Sequence, residues 1–244
     1  MTKYTFMVCP HDTIHNPERW YELERYFIAR LGTEVLFEMA IDFLDFQENV
    51  PKADIVYTNP SDRISILKAH GYVPVARPMN TYDEVVLVAS TEVANPSINS
   101  LQGAEIATVT SLIPTHLSFD LLHRQGIKAG ALHHKESWQA VISSVWNHEV
   151  EFGFVYKDTY DHLSDHGKSL INMFYVSDER KAFHTLEISP RLADRKSEIE
   201  QLLLGMDADA AGQTLLQTLD IEKWLPVTDE EMGIMEQLMS IELT

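Results

Sequence analysis

Length, composition and charge exclude several classes of protein. The 244 residues, 45% of them hydrophobic, can bury one large core or two modest ones, and no apolar run is long enough to insert into a membrane. A formal net charge of −18 argues against nucleic acid and anionic membrane surfaces as partners. Cys9 is the only cysteine, which excludes an intramolecular disulfide, and its apolar neighbours predict a buried side chain.

Strands and helices alternate in the first part of the chain. Short apolar runs predict strands, and apolar residues spaced three and four apart predict helices. In chain order the prediction is strand 4–9, helix 17–31, strand 34–38, helix 42–49, strand 54–58, helix 61–70 and strand 72–78. Such a βαβ series indicates a doubly wound α/β sheet.

The second part of the chain repeats this alternation and ends in a helical tail. The predicted elements are strand 104–109, helix 115–126, strand 130–133, helix 136–147, strand 151–156 and, in a tail that opens at 186–190, helices 194–205, 207–219 and 228–242. Strands 84–90 and 171–176 are expected to carry the chain between two lobes. The predicted lobes are 1–87 with 186–244, and 88–185, with a cleft between them.

An apolar run in the first lobe ends abruptly in small polar residues, in the segment 53–62. This pattern is typical of a buried parallel strand that leads into a ligand loop, because open α/β sheets bind ligands at the carboxyl ends of their strands. Thr58, Asn59 and Ser61 are the candidate donors, and the helix that follows offers its amino end to an anion. The alternative is an ordinary strand-turn-helix junction, in which these residues only form the turn and the helix cap.

Seven segments of the chain together identify a protein family. No single segment is specific to that family, but their order along the chain is. They are 4–10, 20–31, 53–62, 83–90, 100–127, 137–156 and 215–231. In this order they resemble the phosphonate and phosphate substrate-binding proteins of bacterial ABC importers, over nearly the whole chain. The resemblance implies a two-lobed type 2 periplasmic-binding-protein-like α/β fold, in which each lobe is a mostly parallel sheet flanked by helices.

The loop 108–116 of the second lobe joins a strand to a helix, and such a loop presents backbone N–H groups to an anion. Its candidate donors are Thr110, Ser111, Thr115 and His116. The family carries a Ser-Thr-Ser-Gly anion cradle here, whereas in this chain the glycine is missing and residues 112–114 are Leu, Ile and Pro. The departure implies a ligand less compact or less charged than phosphate, such as a small carboxylate or an organic phosphorus compound with an apolar part. The alternative for Thr115 is a helix cap.

Further polar side chains flank predicted strands. They are His11, Tyr82, Tyr156 and Asp158. The resemblance implies polar ligand contacts near His11 and Tyr82, although histidines in such loops are often surface residues. Asp158 would accept an amino group of the ligand, or is simply a solvated carboxylate. We expect the ligand between the 58–61 loop and the 110–116 loop.

No motif for a metal, a cofactor or covalent catalysis is recognisable. His11 with His15, and His133 with His134, lack the spacing and the carboxylate ligand of a metal site. The sequence has no nucleophile elbow, no phosphate-binding P-loop and no dinucleotide fingerprint. We therefore assign no cofactor, no metal ligand and no catalytic residue.

Three functions fit this scaffold, because fold alone does not determine function. The first is a binding protein that closes on a small polar or anionic ligand, with a transporter as partner. The second is a cytoplasmic enzyme, as the menaquinone-pathway dehydratases and thiamine-pyrimidine synthases are. The third is a sensory module that contacts a protein partner through the acidic tail 228–244. The start of the sequence shows no secretory signal, which favours the cytoplasm, and the alternative is a periplasmic protein with a trimmed start.

Overall fold

The computed structural model describes residues 3–14 and 16–243, so His15 lies outside the described residues. The chain divides into two compact units. The first contains Met1–Thr81 and Phe183–Met232, and the second contains Tyr82–Ala182 and Gly233–Thr244. The final segment thus groups with the second unit, whereas the sequence pattern favours the first lobe.

Strands and helices alternate along the described chain. The strands are β1 (Lys3–Val8), β2 (Glu34–Glu38), β3 (Ile55–Thr58), β4 (Val73–Pro78), β5 (Val85–Ser90), β6 (Ile106–Thr108), β7 (Leu132–His134), β8 (Phe152–Tyr156), β9 (Ile171–Val176), β10 (Thr185–Ile188) and β11 (Trp224–Leu225). The α-helices are α1 (Pro10–Thr13), α2 (Glu18–Leu31), α3 (Phe43–Asn49), α4 (Pro60–Asp62), α5 (Ile113–Arg124), α6 (Trp138–Trp146), α7 (Lys157–Asp161), α8 (Asp165–Ser169), α9 (Lys196–Leu204), α10 (Ala210–Leu219) and α11 (Asp229–Met239).

The first unit is built on a mixed sheet with the strand order β11-β4-β10-β3-β1-β2. Strand β1 pairs in parallel with β2 and with β3, whereas β10 is antiparallel to both of its neighbours. All four residues of β3 are buried, as expected for a central strand covered on both faces. Helix α2 places Trp20, Leu23 and Phe27 in the same core. The carboxyl ends of β1 and β3 therefore bring Cys9 and Thr58 to one edge of the sheet.

Strand β10 corrects the prediction that the tail after 186 is helical. Residues Thr185–Ile188 instead lie between β3 and β4, and all four are buried. The four residues, Thr-Leu-Glu-Ile, alternate between polar and apolar, but all four are buried, so the polar positions do not mark a solvent-facing side of the strand. Its partners are far away along the chain, so only the tertiary structure reveals it. The two-residue strand β11 was missed for the same reason.

The predicted helix 61–70 is helical but irregular. It consists of α4, a π-helical turn at Arg63–Leu67 and a 3-10 turn at Lys68–His70. Pro60 occupies the first turn, where its missing N–H costs no hydrogen bond. The segment ends at Gly71, whose φ of 76° is in the left-handed region that glycine adopts without strain.

The second unit is built on another mixed sheet, with the order β7-β6-β8-β5-β9. Strand β5 is antiparallel to β8 and β9, and β6 is parallel to β7 and β8. The expectation that 84–90 and 171–176 carry the chain between lobes is therefore wrong. Both strands lie within this sheet, where β5 is buried at every position. Both sheets are mixed rather than mostly parallel.

Candidate functional site

Asn59, a predicted ligand donor, caps helix α4 with its side chain. Its Oδ1 accepts a hydrogen bond from the Asp62 backbone N–H at 3.0 Å, and its Nδ2 donates to Asp62 Oδ2 at 2.6 Å and to Cys9 Sγ at 3.3 Å. Thr58 and Ser61 on either side of it are also buried. Asn59 is therefore a helix cap, as the alternative interpretation of this junction has it, because its side-chain amide already has hydrogen-bond partners inside the protein.

Asp62 and Cys9 complete this buried network. Gln47 Nε2 donates to Asp62 Oδ1 at 2.8 Å. Burial raises the pKa of the Asp62 carboxyl, and the hydrogen bonds from Asn59 and Gln47 counteract that effect. Burial also raises the pKa of the Cys9 thiol well above its usual value, so Cys9 is a neutral buried side chain, as its apolar neighbours predict, and not an activated nucleophile.

His11 is a neutral histidine in the short helix α1, which follows β1. Its ring packs edge-on against Phe43, with centroids 4.5 Å apart, and its Nδ1 lies 3.8 Å from Cys9 Sγ. Burial and the nearby His184 lower the pKa of His11 to about 4. A neutral imidazole offers an anion one N–H donor at most and no positive charge.

His184 was missed by sequence reasoning. Its Nδ1 lies 2.9 Å from Asp12 Oδ2, its side chain is 7% exposed, and its ring centroid is 5.4 Å from that of Tyr57. His184 directly precedes strand β10, which was also missed. A single histidine that belongs to no motif does not indicate a functional role in a sequence. Only the folded structure shows that His184 lies beside Asp12.

The first unit also contains a buried ion pair between strand β10 and the segment that follows α4. Arg63 Nε is 2.9 Å from Glu187 Oε1, and Thr185 Oγ1 donates to the same carboxylate oxygen at 2.7 Å. Burial raises the pKa of Glu187 to about 7, and the Arg63 charge acts in the opposite direction. The strand-end groups of this unit are therefore mostly neutral or already paired.

In the second unit, the loop before α5 separates the predicted donors into two groups. Ser111 is exposed, and Thr110 is partly buried with its Oγ1 2.9 Å from His134 Nδ1. Thr115 is fully buried, where its Oγ1 hydrogen-bonds to Thr108 Oγ1 at 2.6 Å and donates to the Val109 carbonyl at 2.8 Å. The Thr115 side chain thus links helix α5 to the preceding strand and loop by hydrogen bonds. It is not the helix cap, because the N-cap position is Leu112.

His116 also faces inward. It is 6% exposed, and its burial lowers the pKa of the imidazole, while hydrogen bonds with the backbone of Leu238 and Thr110 act in the opposite direction. Helix α11, which carries Leu238, therefore contributes to the environment of this predicted ligand residue. The structure leaves Thr110 and Ser111 as the accessible hydroxyls of the loop.

The remaining predicted residues lie at one edge of the second sheet, where β5 begins and the antiparallel β8 ends. The Tyr156 hydroxyl donates to Asp83 Oδ1 at 2.8 Å, next to the partly buried Tyr82. The Trp138 ring lies 6.4 Å from the Tyr156 ring. Asp158 is exposed, with its Oδ1 3.4 Å from His162 Nδ1, which agrees with a solvated carboxylate.

The histidines considered as metal ligands have other partners. His133 Nε2 lies 2.9 Å from Glu105 Oε2, and His134 Nε2 lies 3.6 Å from Glu136 Oε1. Among residues 3–14 and 16–243, no group of three or more His, Cys, Asp or Glu side chains could hold a metal ion. Within the same residues, no helix combines the length and apolar character needed to cross a bilayer.

Two mixed sheets flanked by helices, with polar loops at the strand ends, define a type 2 periplasmic binding protein. The family model described as "ABC transporter, phosphonate, periplasmic substrate-binding protein" matches residues 6–232. The chain belongs to this family, which confirms the resemblance found in the sequence. The family description supports the periplasmic alternative and not the expected cytoplasmic location.

Solved structures of low sequence identity share the fold. XAC2383 from Xanthomonas citri, bound to chloride ion, has a TM-score of 0.76 at 15% identity, covering 98% of this chain and 96% of that one. PhnD1 from Prochlorococcus marinus, in complex with methylphosphonate, has a TM-score of 0.74 at 13% identity, with 97% and 96% covered. The aliphatic sulphonate binding protein SsuA from Escherichia coli has a TM-score of 0.72 at 14% identity, with 97% and 85% covered. Comparison with curated proteins found no match.

Proposed function

We propose that the chain is a periplasmic binding protein that captures a small organic oxyanion, such as a phosphonate, sulfonate or carboxylate, and releases it unchanged to an ABC importer. The family match and the named ligands of its structural relatives support this class of ligand. The observation that carries the proposal is the pair of accessible neutral hydroxyls that follows β6. They belong to Thr110 and Ser111, whereas the hydroxyl of Tyr156 at the end of β8 donates its proton to Asp83.

Neutral donors suit a reversible binder of anions. Each hydrogen bond contributes roughly 0.5–1.5 kcal/mol net, so several together hold a ligand that still dissociates. The net charge of −18 gives no attraction at long range, so local dipoles must supply the affinity. The pKa values of His11 and His116 are both lowered, so neither imidazole adds a positive charge near the strand ends at pH 7.

Removal of the two accessible hydroxyls tests the proposal. We expect Thr110→Ala with Ser111→Ala to weaken the binding of methylphosphonate or ethanesulfonate, measured by isothermal titration calorimetry, by about five- to a hundredfold. The matched control is Thr214→Ala with Thr218→Ala, which removes two exposed hydroxyls of α10 that bond to their own helix. Unchanged affinity in the first variant, or equal losses in both, contradicts the proposal.

The enzyme alternative gains one observation from the structure. His184 Nδ1 lies 2.9 Å from Asp12 Oδ2, which places an imidazole beside a carboxylate, the two group types of a general base and its orienting partner. We expect no turnover, because binding alone requires no proton transfer. Mass spectrometry of the ligand after incubation with the protein decides this point. Conversion that stops in a His184→Gln variant would replace the binding protein with an enzyme.

The sensory alternative used the acidic tail 228–244 as a contact surface for a protein partner. In the structure, Met235 and Leu238 of α11 are buried, and Glu231 Oε1 lies 2.6 Å from Arg77 Nη2. Much of this tail therefore packs into the two units, which reduces the surface it could offer to a protein partner.

A further inference from the structure

The indole N–H of Trp138 is a buried donor without an acceptor. Trp138 is 3% exposed, and no group in the described part of the chain hydrogen-bonds to its Nε1. Trp20, by comparison, donates its indole N–H to the Asp12 carbonyl at 2.9 Å. Buried donors in proteins are nearly always satisfied, so an unsatisfied one marks a place where a water or a ligand completes the site.

The sequence around Trp138 holds its ring in one place. Trp138 is the first residue of α6, and the side chain of Ser137 accepts a hydrogen bond from the Ala140 backbone N–H at 3.2 Å to cap that helix. The ring belongs to the core that includes Val109 and Val155, from strand ends of the second sheet. Its position therefore depends on the packing of this core.

Two partly buried residues near the proposed site pack against the same core as Trp138. They are Leu112 and Tyr156, and the rings of Trp138 and Tyr156 lie 6.4 Å apart. Tyr156 directs its hydroxyl to Asp83, and Thr110 lies two residues before Leu112. Trp138 and Thr110 offer neutral donors, and Leu112 and the Tyr156 ring offer apolar surface. None of the four carries a positive charge.

We infer that Trp138 donates its indole N–H to the ligand and that this part of the site selects a singly charged organic oxyanion with an apolar substituent. The inference rests on the proposed function and narrows its ligand class. The nearby lysines, Lys135 and Lys157, are already paired with Glu149 and Asp161. A second negative charge would therefore have to be desolvated beside the Asp83 carboxylate without an unpaired lysine ammonium to offset it. An alkyl or aryl group, in contrast, gains from burial against Leu112 and the two aromatic rings.

A comparison of sulfonates and phosphonates tests the charge selection. A sulfonate stays singly charged between pH 6 and 8, whereas a phosphonate acquires a second charge near neutral pH. With the full chain, we expect the calorimetric affinity for ethanesulfonate to be constant over this range and that for ethylphosphonate to fall by about tenfold per pH unit once the dianion dominates. Benzenesulfonate should bind more tightly than inorganic sulfate or phosphate. An ethylphosphonate affinity that rises with pH overturns the inference.

Trp138→Phe tests the donor. We expect a two- to tenfold loss of affinity for ethanesulfonate. Trp146→Phe, an exposed residue of the same helix, and Trp224→Phe, a buried indole of the first unit that also lacks a partner, are the controls and should bind normally. Equal loss in Trp138→Phe and Trp224→Phe contradicts a direct contact.

Indole ¹⁵N–¹H spectra of the wild-type chain test the same contact without relying on a core variant. The chain has four tryptophans, and we expect the Trp138 resonance to move downfield when ethanesulfonate binds. A Trp138 signal that does not respond to bound ligand overturns the inference while leaving the proposed function intact. If no organic oxyanion binds at all, both the proposed function and the inference fail.

Discussion

At the scale of single residues, burial decides which polar side chains can meet a ligand. Thr115 and His116 lie in the predicted anion loop, yet both face the protein interior, whereas Ser111 is exposed. Hydroxyl and imidazole groups inside a protein require partners of their own, and here the partners come from the same unit. The residue types in the sequence therefore identified the loop, and burial in the structure showed which of its side chains a ligand can reach.

Thr115→Val separates a structural hydroxyl from a ligand donor. The change keeps the shape of the side chain but removes the hydrogen bonds to Thr108 and Val109, so we expect the free energy of unfolding to fall by about 1–2 kcal/mol. Affinity for the ligand should not change, because the side chain is fully buried. Denaturant unfolding and calorimetry measure the two effects, with the exposed Thr218→Val as control. A loss of affinity at full stability would place Thr115 in the ligand site.

Glu187→Gln should alter how stability depends on pH. The folded-state pKa of Glu187 is raised from 4.5 to about 7, so between these values the folded protein holds more protons than the unfolded chain. The stability that this group contributes is present below pH 4.5 and is lost as the pH rises through 7. We expect the unfolding free energy of the wild type, relative to that of the variant, to fall by up to roughly 3 kcal/mol over this window.

The comparison with the variant is needed because His11 acts in the opposite direction. Its pKa is lowered from 6.5 to about 4, so its contribution to stability is lost as the pH falls through that range. Denaturant unfolding at several pH values, with the exposed Glu151→Gln as control, isolates the Glu187 contribution. A difference between wild type and Glu187→Gln that does not change with pH would contradict the raised pKa.

At the scale of secondary-structure elements, close packing explains positions that propensity alone does not. Helix α10 contains Gly212 in its first turn, where a Cβ atom would lie 2.0 Å from the carbonyl oxygen of Met206. Helix α11 contains Gly233, where a Cβ atom would meet no atom within 4 Å. The same residue type is therefore required at one helical position and only tolerated at the other.

The two glycines give opposite predictions. Gly212→Ala should lower the free energy of unfolding by about 2–3 kcal/mol or more, because backbone atoms cannot move aside cheaply. Gly233→Ala should raise it by about 0.5–1 kcal/mol, because alanine loses less conformational freedom in a helix. Thermal and denaturant unfolding of the two variants measure this contrast. Equal effects would show that the packing around Gly212 is looser than described.

At the scale of the whole molecule, we expect the net charge of −18 to influence how fast the proposed anionic ligand is captured. An anionic ligand approaches a negatively charged protein against a repulsive field. Salt screens that field, so we expect the association rate constant for ethanesulfonate to rise several-fold between 20 mM and 500 mM NaCl. Stopped-flow tryptophan fluorescence measures the rate. A rate that falls with salt would reveal a local positive field strong enough to overcome the net charge.

The sequence by itself determined the order of most local elements and, through seven ordered segments, the family. Strand β2 has the predicted bounds, and helix α2 differs from its prediction by one residue, because periodic apolar patterns and terminal glycines act locally. The segment 58–61 and the loop 108–116 were recognised as polar strand ends for the same local reason.

Only the tertiary structure decided which distant groups meet. Strand β10 joins the first sheet because β3 and β4 supply its hydrogen-bond partners, and His184 pairs with Asp12 because β10 places it there. Likewise, the unsatisfied indole of Trp138 depends on which atoms surround the ring. Burial and long-range pairing are properties of the folded chain, and a local pattern of residue types does not contain them.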